Sequence, residues 1–83
     1  MTAPPTLTAA QVRRACALLR WSSPRLSRIA GVSFETALKA QKGADMAALP
    51  FSDVWAIRTA LERAGVRFAF DAEGRPGAEM GGT

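Results

Sequence analysis

Phe34, Glu35, Leu38 and Lys39 lie in one short stretch and bring three complementary chemistries to it. Lys39 donates hydrogen bonds as a point charge, Glu35 accepts them, and Phe34 and Leu38 offer apolar surface. Spaced at i, i+1, i+4 and i+5, they share one side of a helix. Such a set recognises a surface rather than reacting with it. The usual parts of a catalytic centre are missing: the chain has no His and no Tyr. It also shows no paired carboxylates on one helix, no phosphate-cradling glycine loop and no metal-ligand spacing. The expectation is a protein that is not an enzyme and needs no metal or cofactor.

The elements that must position these four residues are legible on both sides. Ser22-Ser23-Pro24 opens a helix that runs through Ile29 and Ala30, since Pro is tolerated in a first turn. Leu26, Ile29 and Ala30 are expected inside, with Arg25 and Arg28 outside. Gly31 and Val32 make a corner. Ser33 then caps a second helix from Phe34 to about Gln41, with Gly43 read as its stop signal. Ala37 and Ala40, with Val32, form its small inner face, which leaves room for Trp21 or Trp55 to fill. Two helices meeting at a glycine corner form the helix-turn-helix pattern, whose second helix enters the DNA major groove.

Before this pair, Met1 to Leu7 reads as a loose arm. Thr8 and Gln11 fit a capping box for a helix reaching about Arg20. Val12, Ala15, Cys16 and Leu19 recur at core spacing, and Cys16 reads as a small core residue. Residues 44–51 connect onward, with a helical turn around Met46–Leu49. Ser52 is expected to cap a fourth helix, carrying Val54, Ile57, Leu61 and Ala64 inward and ending at Gly65. Arg58 and Glu62 are spaced for a surface ion pair. From Val66 the period becomes two, so Val66, Phe68 and Phe70 share one strand face. A turn over residues 71–77 and a return strand at Ala78–Met80 complete a hairpin, and Gly81 onward is expected to fray.

The whole is expected to be mainly α: a compact four- to five-helix domain with a short C-terminal β-strand or hairpin, in a single domain over residues 1–83. An isolated hairpin is marginal in water, so residues 66–80 are expected to use Val66, Phe68 and Phe70 in dimerisation. Apolar residues make up 48% of the 83, which argues against disorder. No apolar run approaches a membrane span, and the start lacks the features of a signal peptide. The single cysteine fits a reducing cytoplasm. Charge is divided along the chain: residues 1–43 hold seven Lys and Arg against Glu35, whereas residues 44–83 hold four against six acids. The basic half contains the helix pair, as expected for a face that meets phosphate.

Three blocks carry a resemblance: RACALLRWS at 14–22, LSRIAGVSFET at 26–36 and IRTALERAGVRF at 57–68. In this order and spacing they resemble the short bacterial and phage Cro/XRE-type helix-turn-helix transcriptional regulators, with the likeness covering about residues 8 to 78. The resemblance implies a lambda-repressor-like domain that is cytoplasmic and nucleoid-associated. It further implies binding to double-stranded DNA, usually as a homodimer on an inverted repeat. By position it puts Phe34, Glu35 and Lys39 against base edges and Ser33 and Lys42 against the backbone. Ser23 stands where the family usually has a Gln that touches phosphate. Leu38 joins the base-facing set for its place on the same helix face. Arg13, Arg14, Ser23, Arg25, Ser33, Thr36 and Lys42 are together the candidate backbone contacts. The alternative is a protein-interaction module, an antitoxin or adaptor that sets Phe34 and Leu38 into a protein groove. RNA binding is a weaker third reading, since no exposed aromatic sheet face is evident.

Overall fold

Thr8 starts the fold through two reciprocal bonds. Its hydroxyl accepts from the Gln11 backbone N–H at 3.2 Å, and the Gln11 side-chain oxygen accepts from the Thr8 N–H at 3.0 Å. The expected capping box is therefore present at the head of α1, Ala9–Leu19. In this computed structural model, which describes residues 7–46 and 48–81, the chain continues through α2 (Ser23–Ala30), α3 (Phe34–Lys39), a single turn α4 (Gly43–Met46) and α5 (Phe51–Arg63). It ends in β1 (Val66–Phe70) and β2 (Pro76–Met80). Residues 1–6 of the arm expected over Met1–Leu7, the last two residues of the stretch expected to fray from Gly81, and position 47 of the connector lie outside the described residues. Leu7 is instead buried in the core, and the Gly81 N–H donates to the Gly65 carbonyl.

Helix ends account for most of the chain's corners. Arg20 takes a left-handed conformation with φ of 57°, and Trp21 N–H donates back to the Cys16 carbonyl at 2.9 Å. This is the usual glycine-terminated helix end, but here an Arg occupies the strained position. Gly31 does the same job for α2 without strain, at φ 73°, as its place in the sequence predicts. Ser22 and Ser33 cap α2 and α3 by accepting from the N–H groups of Arg25 and Thr36.

Several expectations are corrected. α3 stops at Lys39 because its last turn tightens into i→i+3 bonds, Gln41 to Leu38 and Lys42 to Lys39. Gly43 is not a stop: it begins α4, closed by Met46 N–H on the Lys42 carbonyl. Ser52 does not cap α5. The helix begins two residues earlier, at Phe51, with the Pro50 carbonyl accepting from Asp53 and Val54 and no side-chain cap. The return strand starts at Pro76 rather than Ala78, since Phe70 pairs with Pro76 across the hairpin. Ile29, expected inside, is exposed.

One core holds everything together. Val12, Ala15 and Cys16 of α1, Leu26 of α2, Ala37 of α3 and Ala40 just past it, Met46, and Ile57 and Leu61 of α5 form a single buried cluster with Val66 and Ala78 of the hairpin. Burial raises the Cys16 thiol above its ordinary pKa, so it stays protonated there. Trp21 packs against the cluster, whereas Trp55 is turned out. β2 lies on α1, β1 on α5, and α2 packs on both α3 and α5. The two strands pair antiparallel, Val66 with Met80 and Phe68 with Ala78. Their turn is held by Asp71, whose carboxylate accepts from the Arg75 N–H at 2.8 Å and from its guanidinium at 2.7 Å. The bond from the Arg75 backbone, more than any other, keeps that carboxyl below its ordinary pKa.

Gln11 fastens the hairpin. It is buried on α1, and its amide nitrogen donates to the Gly77 carbonyl of β2 at 3.0 Å. One side chain thus completes a helix cap and ties down the chain's last strand. Gln11→Ala is expected to destabilise the fold by about 1–3 kcal/mol, against about 1 kcal/mol for Thr8→Ala. Urea melts of the two compare them directly, and equal midpoints would mean that the Gly77 bond contributes nothing. Arg20→Gly removes the left-handed strain and is expected to stabilise by about 0.5–1 kcal/mol in the same assay.

Candidate functional site

The site is built on the smallness of α3. Its inward residue, Ala37, and Ala40 immediately after it are fully buried, so the short helix sits close against its neighbours. Its large side chains have nowhere inward to go. Phe34 and Leu38 are both exposed, one turn apart. Glu35 and Lys39 lie beside them, and the Lys39 ammonium is 3.2 Å from the Glu35 carboxylate. The four residues expected to act together do share the outer side of one helix. Lys39 is partly neutralised there by its own neighbour, at the modest strength of an exposed i,i+4 pair.

The expected flanking contacts divide into two groups. Ser33 and Lys42 are exposed at the two ends of α3, and Arg25 is exposed on α2. Thr36 is half-buried, and its hydroxyl accepts from the Ser33 hydroxyl at 2.9 Å. Arg13 reaches from α1 to donate to the Gln41 carbonyl, which brings a cation to the C-terminal end of α3. The structure places the others differently. The Ser23 hydroxyl accepts from the Gln41 amide nitrogen at 2.8 Å, and the same nitrogen donates to the Ala37 carbonyl at 3.1 Å. Ser23 therefore serves as a strut between the start of α2 and the end of α3. Arg14 points to the far side of α1, where its guanidinium is 3.4 Å from the Ala78 carbonyl. Arg13 and Arg14 thus reach different neighbours, the end of α3 and the hairpin, despite being adjacent.

The three hairpin residues expected at a dimer contact also separate. Val66 is enclosed in the chain's own core. Phe68 is half-buried, with the Arg58 guanidinium 5.5 Å over its ring. Only Phe70 stands exposed. The strand's apolar face mainly covers the domain that bears it. Arg58 also forms the expected pair with Glu62, at 3.5 Å.

Two surroundings of the site were not anticipated. A groove of about 350 Å³ runs along one flank of α3, bounded by Ser33, Glu35, Thr36 and Lys39 on one side and by Leu49, Pro50 and Asp53 on the other. Asp53 brings a second negative charge close to the flank that carries Lys39. The other is an aromatic surface on α5, where Phe51 and Trp55 stack with ring centroids 6.2 Å apart. Its signal was in the sequence: neither residue belongs to the Val54–Ile57–Leu61 stripe.

Among the described residues, no group of three or more His, Cys, Asp or Glu is placed to hold a metal ion. No buried side-chain nitrogen or oxygen among them lacks a hydrogen-bond partner. No helix among them is long and apolar enough to cross a membrane. No family model matches the chain, and neither a curated protein nor a solved structure matches it significantly.

Proposed function

We propose that the chain is a sequence-specific double-stranded DNA-binding regulator that presents α3 to the major groove, with α2 and α3 acting as a helix-turn-helix. The observation that carries this reading is the outward side of α3. A cation, an anion and two apolar side chains stand exposed there, on a helix whose inner side is only alanine. That helix lies in the half of the chain with seven basic residues against one acid. Phosphate contacts from such a half supply affinity, and base edges supply choice. In this reading Ser33, Lys42, Arg25 and Arg13, all exposed, meet phosphate.

In this reading Lys39 exchanges its Glu35 partner for guanine O6 or N7, and Glu35 turns to cytosine N4. Phe34 and Leu38 pack on thymine methyls. Glu35 disfavours any sequence that offers it no donor, so it supports discrimination more than affinity. Homodimeric binding to an inverted repeat belongs to the same proposal, since one six-residue helix spans only a few base pairs. The second reading, an interaction module, draws on the same exposed Phe34 and Leu38 as a ridge for a protein groove.

Capture of genomic fragments followed by sequencing tests the proposal and identifies the operator. Binding is expected to weaken steeply with salt and to centre on a palindrome. Recovery of no preferred sequence, with a protein partner retained after nuclease treatment, would favour the interaction module. On the operator found, Lys39→Ala is expected to lose about 5- to 150-fold, the equivalent of about 1–3 kcal/mol, and to relax choice at one base pair. Equal loss on random DNA would make Lys39 a phosphate contact. Glu35→Gln is expected to bind random DNA more tightly and so to narrow the gap between operator and random sequence.

A further inference from the structure

Ile29 of α2 and Trp55 of α5, 48% and 52% exposed, line one groove of about 300 Å³ where the two helices pack. Phe51 stacks on Trp55, with ring centroids 6.2 Å apart, and so steadies the indole. The other lining residues are the small Ala30, Ala56, Thr59 and Ala60, and Arg63. Arg63 is exposed and forms no ion pair with a described residue. No acid lines the groove. Glu62 follows Phe51 and Arg58 around the helix, on the other side of Trp55, and is paired with Arg58 at 3.5 Å.

We infer that this groove receives an acidic amphipathic helix of another protein, with two apolar side chains one turn apart and a carboxylate a turn further on. Charge complementarity calls for the acid, since Arg63 is the groove's one charged group. Hydrogen bonding calls for a helix. An extended segment would bring unpaired N–H and C=O groups onto a surface whose only polar side chains are Thr59 and Arg63, whereas a helix satisfies its own backbone. Length sets the spacing: Trp55 and Arg63 are about 12 Å apart along α5, which a partner helix covers from position i to i+7 or i+8. The chain's own α5 is a poor occupant. At i+7 from its Phe51 and Trp55 pair it carries Arg58, which would meet Arg63 with like charge, and Glu62 comes a turn later still.

Two turns of helix make a contact at the small, transient end of protein interfaces, with Kd of about 10–100 μM. Trp55 is its anchor: a large, half-exposed ring already held in place loses little freedom when it is covered. None of the lining residues is among those proposed to meet DNA, so docking here needs no DNA and does not depend on that reading.

The probe is a labelled, alanine-rich peptide of about 16 residues, long enough to be helical, with Leu at i and i+4 and Glu at i+7 and i+8. Its fluorescence anisotropy is titrated with the full chain in the absence of DNA. The chain is expected to bind it at about 10–100 μM, and Trp55→Ala and Arg63→Glu to weaken binding at least about tenfold with unchanged circular dichroism spectra. A peptide with Lys in place of both Glu is expected to restore binding to Arg63→Glu, which a merely structural effect of that substitution would not allow. Phe34→Ala is expected to bind like the unaltered chain. No binding at about 1 mM, equal binding of a scrambled peptide, undiminished binding by either folded groove variant, no restoration by the Lys peptide, or loss through Phe34→Ala would overturn the inference. So would sedimentation of the chain alone as a dimer that Trp55→Ala abolishes, which would make a second copy the occupant. Because DNA is absent throughout, failure here leaves the DNA-binding proposal to its own test.

Discussion

Everything exposed on α3 follows from the two alanines, Ala37 and Ala40, that it sets against the core. A short helix usually holds its place by driving large apolar groups inward. This one cannot, because it has only six residues and spends its Phe and Leu on the outside. It is instead held by closeness and by polar struts. The Gln41 amide joins Ser23 to Ala37, Arg13 reaches the Gln41 carbonyl, and Ser33 caps the first turn. The side chains that would secure an ordinary helix are thereby free to face outward. Local instability is offset by neighbours that make no use of the outer face.

That division explains how much was legible in the amino-acid sequence. The helix spacing of Val12, Ala15 and Cys16, the Thr8–Gln11 box, the Gly31 corner and the outward set on α3 all depend on local rules. Each can be read within a single turn or two. What escaped depended on distant partners. Gln11 binding Gly77, Ser23 bracing Gln41 and Arg14 turning to Ala78 join segments that no short window contains. Ser23 and Arg14 read as groups free for an outside ligand, and the partners that hold them inside the chain lie too far along the sequence to be read with them.

Ile29 and Phe51 show a different limit. Periodicity identifies the best inward stripe, but it does not say that every large apolar residue lies on it. On α2 the inward place at Ile29's level is taken by Ala30 and by the buried Ser27, whose hydroxyl donates to the Pro24 carbonyl. On α5, Ile57 and Leu61 fill the core and leave the aromatics outside. The hairpin shows the reverse. Its alternating face reads as surplus apolar surface until β2 is seen lying on α1, where Val66 and Ala78 complete the core.

The Gln11 to Gly77 bond spans 66 residues, most of the chain. During synthesis the first helix leaves the ribosome long before its covering strand exists. Until then Gln11 can answer Thr8 but has no β2 carbonyl to meet, and the side of α1 that will carry the hairpin stays wet. The basic half of the molecule therefore reaches its finished rigidity only after β2 has been made and has docked on α1. A nascent or prematurely terminated chain would hold every residue of the outward set on α3 without the frame that makes it stiff.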